Sequence, residues 1–295
     1  MNFRSKNHVV IVGGTGFIGQ ALCTYFAEQN TPVSIISRQL PKYPIKGVTQ
    51  LSYEKAFKTE GVFENAVVIN LAGASITGYL WTHRYKDTLL NSRVHTTRKL
   101  VDHFKTLKQP PQCLINASAV GIYDVTPGHD FLAKVCQAWE AQAQKAEALD
   151  IPTYRLRLGI VLGLEGGLLK LFYSFFKLGL GFYPGPGTQG FSWIALEDVC
   201  RSIDFLIQKS PPSGAFTLTA PNPTNMNDFT KLFAQTYDFK RRMAIPEKLL
   251  RAFVGETADA MCRGVHVYPN ELLSLGYEFK CPTLDQALGG RSSEM

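Results

Sequence analysis

The chain has 295 residues, 45% of them hydrophobic and 19% charged, and a formal net charge of +7. This is enough apolar material for one large α/β domain or a main domain with a smaller companion, and the scattered 25 glycines and 16 prolines exclude a collagen-like or low-complexity chain. The positive excess forms no long basic block. Its densest cluster, Lys240-Arg241-Arg242, reads as a solvated loop, so the charge suits an anionic cofactor better than a nucleic-acid surface.

Met1 to Lys6 lead directly into an apolar run, which predicts no signal peptide. The run Val9-Val10-Ile11-Val12 then breaks into Gly13-Gly14-Thr15-Gly16-Phe17-Ile18-Gly19. Such a pattern predicts a buried strand turning tightly into a helix. The first glycine permits the turn, the second lets backbone approach a pyrophosphate, and the third lets helix pack on strand. Exposed amides at the helix start and the positive end of its dipole then attract phosphate. A glycine-rich turn that binds nothing has the same composition. The position after a strand and before a helix is what favours a nucleotide.

The first helix is expected to run to about Asn30, followed by strands over residues 32–37 and 48–51, a helical stretch, and a strand over 67–71. Strands alternating with helices predict a parallel sheet covered on both faces. The residue ending the second strand of a dinucleotide fold selects between a ribose hydroxyl, which a carboxylate accepts from, and a 2′-phosphate, which a carboxylate repels. Here it is Arg38, and no Asp or Glu occurs from Gln29 to Tyr53. A guanidinium pairs with phosphate and stacks on adenine, so NADP is expected over NAD, unless Arg38 is simply a surface arginine.

A long helix is expected over residues 85–107, stopped by Pro110-Pro111, then a strand over 114–117, a helix over 131–149 and a strand over 153–161. His129 and Asp130 read as the start of that second helix, with Asp130 as its N-cap. Two halves of a doubly wound sheet are then complete. The most apolar long segment, residues 168–182, is interrupted by Lys170, Lys177, Gly179 and Gly181, which excludes a membrane span. Ser192-Trp193-Ile194 and a helix over 197–208 are expected to return to the main domain, and the rest, with helices near 227–237 and 247–262, to form a small α/β cap. The expected division is a dinucleotide-binding domain of residues 1–165 joined by 191–221, and a substrate-binding cap of 166–190 and 222–295. The six cysteines, Cys23, Cys113, Cys136, Cys200, Cys262 and Cys281, form no CxxC pair and suit reduced thiols in a cytoplasmic protein. No metal-ligand spacing or serine-histidine-carboxylate order stands out.

Asn70-Leu71-Ala72-Gly73-Ala74-Ser75-Ile76, Asn116-Ala117-Ser118-Ala119-Val120-Gly121-Ile122-Tyr123, and Ser192-Trp193-Ile194 with Glu197-Asp198-Val199 join the glycine loop in a wider pattern. Together they resemble extended short-chain dehydrogenases/reductases, relatives of the nucleoside-diphosphate-sugar epimerases. More narrowly, with Trp81-Thr82, Lys86, Ser92-Arg93, Trp139-Glu140 and the segment Leu156 to Gly163, the chain is similar to the atypical NAD-dependent epimerase/dehydratase group over nearly its whole length. The resemblance implies a Rossmann fold in which Gly13, Gly14, Thr15, Gly16, Phe17 and Ile18 line the pyrophosphate and Ser37 with Arg38 the adenosine phosphate. Leu51 and Ser52 would lie near adenine, Leu71, Ala72 and Gly73 under the ribose, and Ser118 near the nicotinamide. The implied substrate is a small molecule, with sugar nucleotides as the inherited class.

Extended members pair a tyrosine with a lysine four residues later, on the helix after the fifth strand, so that the lysine lowers the tyrosine pKa. This chain has no tyrosine between Asp124 and Thr153, and alignment puts Leu132 and Cys136 at those positions, with Glu140 after them. A literal Tyr-x-x-x-Lys at Tyr173 and Lys177 falls on the apolar helix after the sixth strand and reads as packing. Ser118 and Tyr123 are the substitute catalytic candidates, and each could equally be structural. Arg93 reads as a helix-surface cation as readily as a site residue, and Cys136 as a buried thiol. Two functions remain open: an NADP-dependent oxidoreductase or epimerase, and an NADPH-binding sensor or interaction module without turnover.

Overall fold

Strand β1 (Val9–Val12) is buried along its whole length and pairs in parallel with a strand on each side. The computed structural model describes residues 8–40, 45–76, 80–123, 131–240 and 242–289. After β1 come α1 (Phe17–Glu28), β2 (Val33–Ser37), β3 (Val48–Ser52), α2 (Tyr53–Lys58), β4 (Val67–Asn70), α3 (His83–Phe104), β5 (Cys113–Ala119), α4 (Phe131–Gln144) and β6 (Thr153–Leu158). With a later strand they build one seven-stranded parallel sheet.

Side chains alternate across a strand, so an unbroken apolar run requires cover on both faces. Val9 and Ile11 pack with Leu22 and Phe26 of α1, while Val10 and Val12 pack with Leu100, Val101 and Phe104 of α3. The chain goes outward from β1 through β2 to β3, then resumes beside β1 at β4 and goes the other way. That reversal between β1 and β4 opens the crevice in which doubly wound sheets bind ligands, at the carboxyl ends of the strands.

Three expectations need correction. The strand expected over 153–161 breaks at Gly159: its amide donates to the Leu218 carbonyl at 3.0 Å, and the next amide, of Ile160, donates to Ser192 at 2.8 Å. This hands the chain to β7 (Ile160–Leu162), which leaves the main sheet. The helix expected to reach 149 stops at Gln144, followed by a 3-10 turn at Glu147–Leu149 that ends on Asp150 in the left-handed region, φ 56°. The helix expected over 247–262 is two, because Gly255 between them has φ 58°. His129, Asp130, Arg241 and the first six residues lie outside the described residues.

From β7 the chain continues through α5 (Gly167–Lys177), β8 (Phe182–Pro184), β9 (Gly190–Phe191), β10 (Trp193–Ala195) and α6 (Leu196–Lys209) to β11 (Gly214–Leu218). β7 pairs with β10, and β11 adds the seventh main-sheet strand beside β6, a strand the sequence pattern did not disclose. The remainder is β12 (Thr224–Asn225), α7 (Met226–Thr236), β13 (Met243–Ile245), α8 (Glu247–Val254), α9 (Thr257–Cys262), α10 (Asn270–Ser274) and α11 (Leu284–Ala287). Two short pairs, β8 with β13 and β9 with β12, join this region to the loops after β7. Phe172, Phe176, Phe191, Trp193, Phe229 and Phe233 form its core. Among the described residues no helix is long and apolar enough to cross a membrane.

Asp198, fully buried in the first turn of α6, fastens the C-terminal segment to the main body. Its carboxylate accepts from the Tyr277 hydroxyl at 3.0 Å and from the Lys280 and Cys281 amides, each at 2.8 Å. Asp198→Ala leaves these donors without their acceptor and should remove about 3 kcal/mol of unfolding free energy in a urea titration, whereas a loss under about 1 kcal/mol would show that the segment docks without it.

Candidate functional site

The glycine loop leaves β1 with Gly13 at φ 85°, where a Cβ would stand 3.0 Å from the Leu71–Ala72 backbone. Gly19 is equally confined, since a Cβ there would come 2.7 Å from the Gly13 carbonyl oxygen. The loop is therefore held between β4 and α1 by backbone contact. Gly16 caps α1 without a side-chain hydrogen bond, and the first turn carries no acid. First-turn amides that no side chain caps, at the positive end of a twelve-residue helix, suit an anion. These features fit the pyrophosphate of a dinucleotide.

The Thr15 and Ser37 hydroxyls are hydrogen-bonded at 2.8 Å, tying the loop to the end of β2, and Arg38 follows with its side chain exposed. At the end of β3, Leu51 is buried and Ser52 caps α2 by accepting from the Lys55 amide at 3.3 Å. Leu71, Ala72 and Gly73 leave the end of β4, with the Ala72 amide donating to Asn70 Oδ1 at 3.2 Å. Ser118 is near the end of β5. Thus Gly13, Gly14, Thr15, Gly16, Phe17 and Ile18 and the other residues expected around a dinucleotide occupy one edge of the sheet, over the carboxyl ends of adjacent strands.

A cavity of about 660 Å³ extends from Phe17 and Ile18 to residues of the C-terminal region, including Met261 and Val265. Ser118, Leu132 and Cys136 line it, so the positions aligned with the missing tyrosine and lysine do face the ligand space, as an aliphatic side chain and a thiol. Neither tyrosine nor histidine occurs among the described lining residues. Burial pushes the Cys136 thiol pKa up, which keeps it protonated and weakly nucleophilic.

Behind Ser118 lies an ion pair that sequence reasoning missed. Ser118 Oγ donates to Glu140 Oε1 at 2.7 Å; Arg157 donates to both carboxylate oxygens, through Nε at 2.9 Å and Nη2 at 3.0 Å. Glu140 is only 5% exposed, and its hydrogen bonds raise the Arg157 pKa, with burial acting the other way. Arg157 Nη1 also donates to the Tyr123 hydroxyl at 3.0 Å, and Tyr123 is 40% exposed and outside the cavity lining. The two catalytic candidates are thereby joined through Glu140 and Arg157, with Ser118 on the cavity side. Because its single proton points to Glu140, the Ser118 hydroxyl offers lone pairs to a ligand. Charged residues inside the apolar runs Leu156-Arg157-Leu158 and Trp139-Glu140 were the available signal.

Arg93 is not a helix-surface cation: it is 8% exposed and lines the cavity. Beside it, Asn70 Nδ2 donates to Thr97 Oγ1 at 2.8 Å and Asn116 Oδ1 at 2.7 Å, and Trp139 Nε1 donates to Thr97 Oγ1 at 2.9 Å, pinning the ends of β4 and β5 to α3 and α4. The Tyr173 ring packs on Tyr237 and Phe239, with centroids 5.5 and 5.7 Å apart, and it is Phe172 that reaches the cavity wall. Among the described residues no group of three or more side chains is placed to hold a metal ion.

Comparison with known proteins agrees with this layout. The sequence profile of the NAD dependent epimerase/dehydratase family matches residues 9–218, and that of a domain of unknown function, DUF1731, matches 245–289. The chain is 33% identical over 294 residues to the epimerase family protein YfhF of Bacillus subtilis (strain 168), covering 95% of this chain and 96% of that one. It is likewise 33% identical over 291 residues to the epimerase family protein SAR0825 of Staphylococcus aureus (strain MRSA252), covering 95% and 97%. Among solved structures, the human epimerase family protein SDR39U1 with NADPH superposes with a TM-score of 0.84 at 25% identity, over 98% of this chain and 100% of that one. A UDP-galactose 4-epimerase superposes at 0.72 with 16% identity, over 96% of each chain, and shares the fold.

Removing one partner of a buried ion pair leaves the other charge uncompensated. Glu140→Ala should therefore cost about 3–5 kcal/mol in chemical unfolding, and Tyr123→Phe, at a partly exposed hydroxyl, under about 1 kcal/mol; equal losses would contradict this ranking.

Proposed function

The chain belongs to the NAD dependent epimerase/dehydratase family, and on that premise we propose that it binds NADP(H) and acts as an oxidoreductase or epimerase on a small carbonyl or hydroxyl substrate. The observation that carries the cofactor assignment is the end of β2. There Thr15 and Ser37 bind each other, Arg38 stands exposed beside them, and no carboxylate occurs from Gln29 to Tyr53. A 2′-phosphate meets a fixed guanidinium charge there and no repelling anion. That the human relative was solved with NADPH supports the reading.

Gly13 to Ile18 would hold the pyrophosphate, Leu51 and Ser52 would flank adenine, and Leu71, Ala72 and Gly73 would pass under the ribose. When bound, the nicotinamide supplies a hydride donor or acceptor. The chain's own part is proton handling. Ser118 Oγ can accept a proton from a substrate hydroxyl while passing its own to Glu140, whose carboxylate Arg157 orients. In the reverse direction Glu140 returns that proton and Ser118 donates to the developing alkoxide. Of the expected cofactor residues, Phe17, Ile18, Leu71 and Ser118 line the 660 Å³ cavity together with residues after β11, so a substrate lying there would meet both parts of the chain.

A second reading is a nucleotide-binding sensor without turnover, favoured by Leu132 and Cys136 on the wall where relatives place the acid-base pair. Hydride transfer from bound NADPH that disappears in Ser118→Ala would eliminate it. For the cofactor, Arg38→Ala should weaken NADPH binding about 10- to 100-fold and leave NADH within about twofold, the loss expected for hydrogen bonds to a charged group. An unchanged NADPH-to-NADH ratio in fluorescence titrations would overturn the assignment of Arg38.

A further inference from the structure

Arg93 and Arg157 are two arginines near the same serine strand, and they differ in one respect. Arg157 has a carboxylate, while among the described residues no carboxylate bonds Arg93. Arg93 Nη1 donates to the Leu89 carbonyl and Nη2 to the Ala74 carbonyl, each at 3.0 Å, and its guanidinium carbon lies 5.2 Å from the centre of the Trp139 ring. Carbonyl dipoles and a ring face moderate a positive charge without cancelling it. Burial lowers the Arg93 pKa, yet a guanidinium starts so high that it stays charged near neutrality.

A guanidinium has five N–H groups, and the two carbonyls take only two. The fold keeps this group against the ligand space: it passes over Gly73, where a Cβ would come 2.9 Å from its central carbon. Trp81, Leu89, Phe131, Leu132 and Trp139 give the cavity a large apolar wall on the Arg93 side, while Gln189, Glu256, Asp259 and Arg263 line it from the later part of the chain. The other cations that line the cavity are Lys86, which is bonded to Glu256, Lys134 and Arg263. A polyhydroxylated ring placed there would lose water and find few partners, which is costly for each unmet hydroxyl. A single negative charge on an apolar body meets both the uncompensated cation and the greasy wall.

We propose that Arg93 binds a carboxylate of the substrate, and that this site takes a compact carboxylic acid with an apolar body rather than the hexose of a sugar nucleotide. The planar fork matches the two oxygens of a carboxylate, and the single charge of Arg93 matches its single negative charge. This inference rests on the cavity being the substrate site of the NADP(H)-binding protein proposed above.

The test uses the full chain saturated with NADPH and titrated calorimetrically with hexanoate and phenylacetate, their primary amides, and phenyl phosphate. The carboxylates should bind at least about 10-fold more tightly than the amides, and Arg93→Gln should abolish that preference while NADPH affinity stays within about twofold. Arg93→Lys, which keeps the charge and loses the fork, should retain part of the preference. Equal binding of acids and amides by the unsubstituted chain overturns the proposal without any variant having to fold, as does tighter binding of phenyl phosphate or a preference that survives Arg93→Gln. If NADPH itself fails to bind, the cofactor reading falls separately, and the same panel without nucleotide still decides whether Arg93 selects carboxylates.

Discussion

The backbone contact between the glycine loop and the end of β4 is the constraint on which the site depends. Gly13 lies so close to Leu71–Ala72 that no side chain fits between them, and Gly19 brings α1 equally close to the loop. These approaches fix the start of α1 over the crevice between β1 and β4, where the direction of winding reverses. The strand ends around the crevice are placed relative to that point. The Thr15–Ser37 pair sets the β2 end and therefore Arg38, and the Asn70–Asn116–Thr97 network sets the ends of β4 and β5 and therefore Ser118.

Around this frame the charges are distributed in an unusual way for a fold that commonly relies on a tyrosine and a lysine. Their aligned positions, Leu132 and Cys136, are on the cavity wall but carry no acid-base group active near neutrality. The ionised groups stand elsewhere, Glu140 one turn further along α4, Arg157 on β6 and Arg93 on α3. Glu140 and Arg157 stand behind Ser118 as a closed pair, and Arg93 enters from α3 as a cation without a carboxylate among the described residues. A closed pair orients a hydroxyl and contributes little net charge to the cavity. A guanidinium without a bonded carboxylate does the opposite and leaves a positive field in the cavity.

The main sheet was legible in the sequence because β1 and β4 are apolar runs ended by glycine or a polar residue, β2 is a β-branched run broken only by Ser34, and buried parallel strands need cover on both faces. β11 was not, since Gly214-Ala215-Phe216-Thr217-Leu218 is short and follows two prolines. The break at Gly159 was hidden for another reason: strand character continues through it, and only the partner changes, from the main sheet to β10. The cofactor edge could be read as a set of strand ends, whereas the Ser118–Glu140–Arg157 chain depends on residues 17 and 22 positions apart meeting across α4 and β6. Periodicity marks Arg93 as one position on a mostly polar helix; its burial follows from how α3 lies over the Gly73 loop, which no local pattern specifies.

The most direct measurement is calorimetric titration of the purified full chain with NADPH and NADH under identical buffer and salt. A loop held open by backbone contact, with its helix amides uncapped and Arg38 in place of an acid, should bind one NADPH per chain, at least about 10-fold more tightly than NADH. Absence of NADPH binding at millimolar concentration, or tighter binding of NADH, would contradict this view of the site.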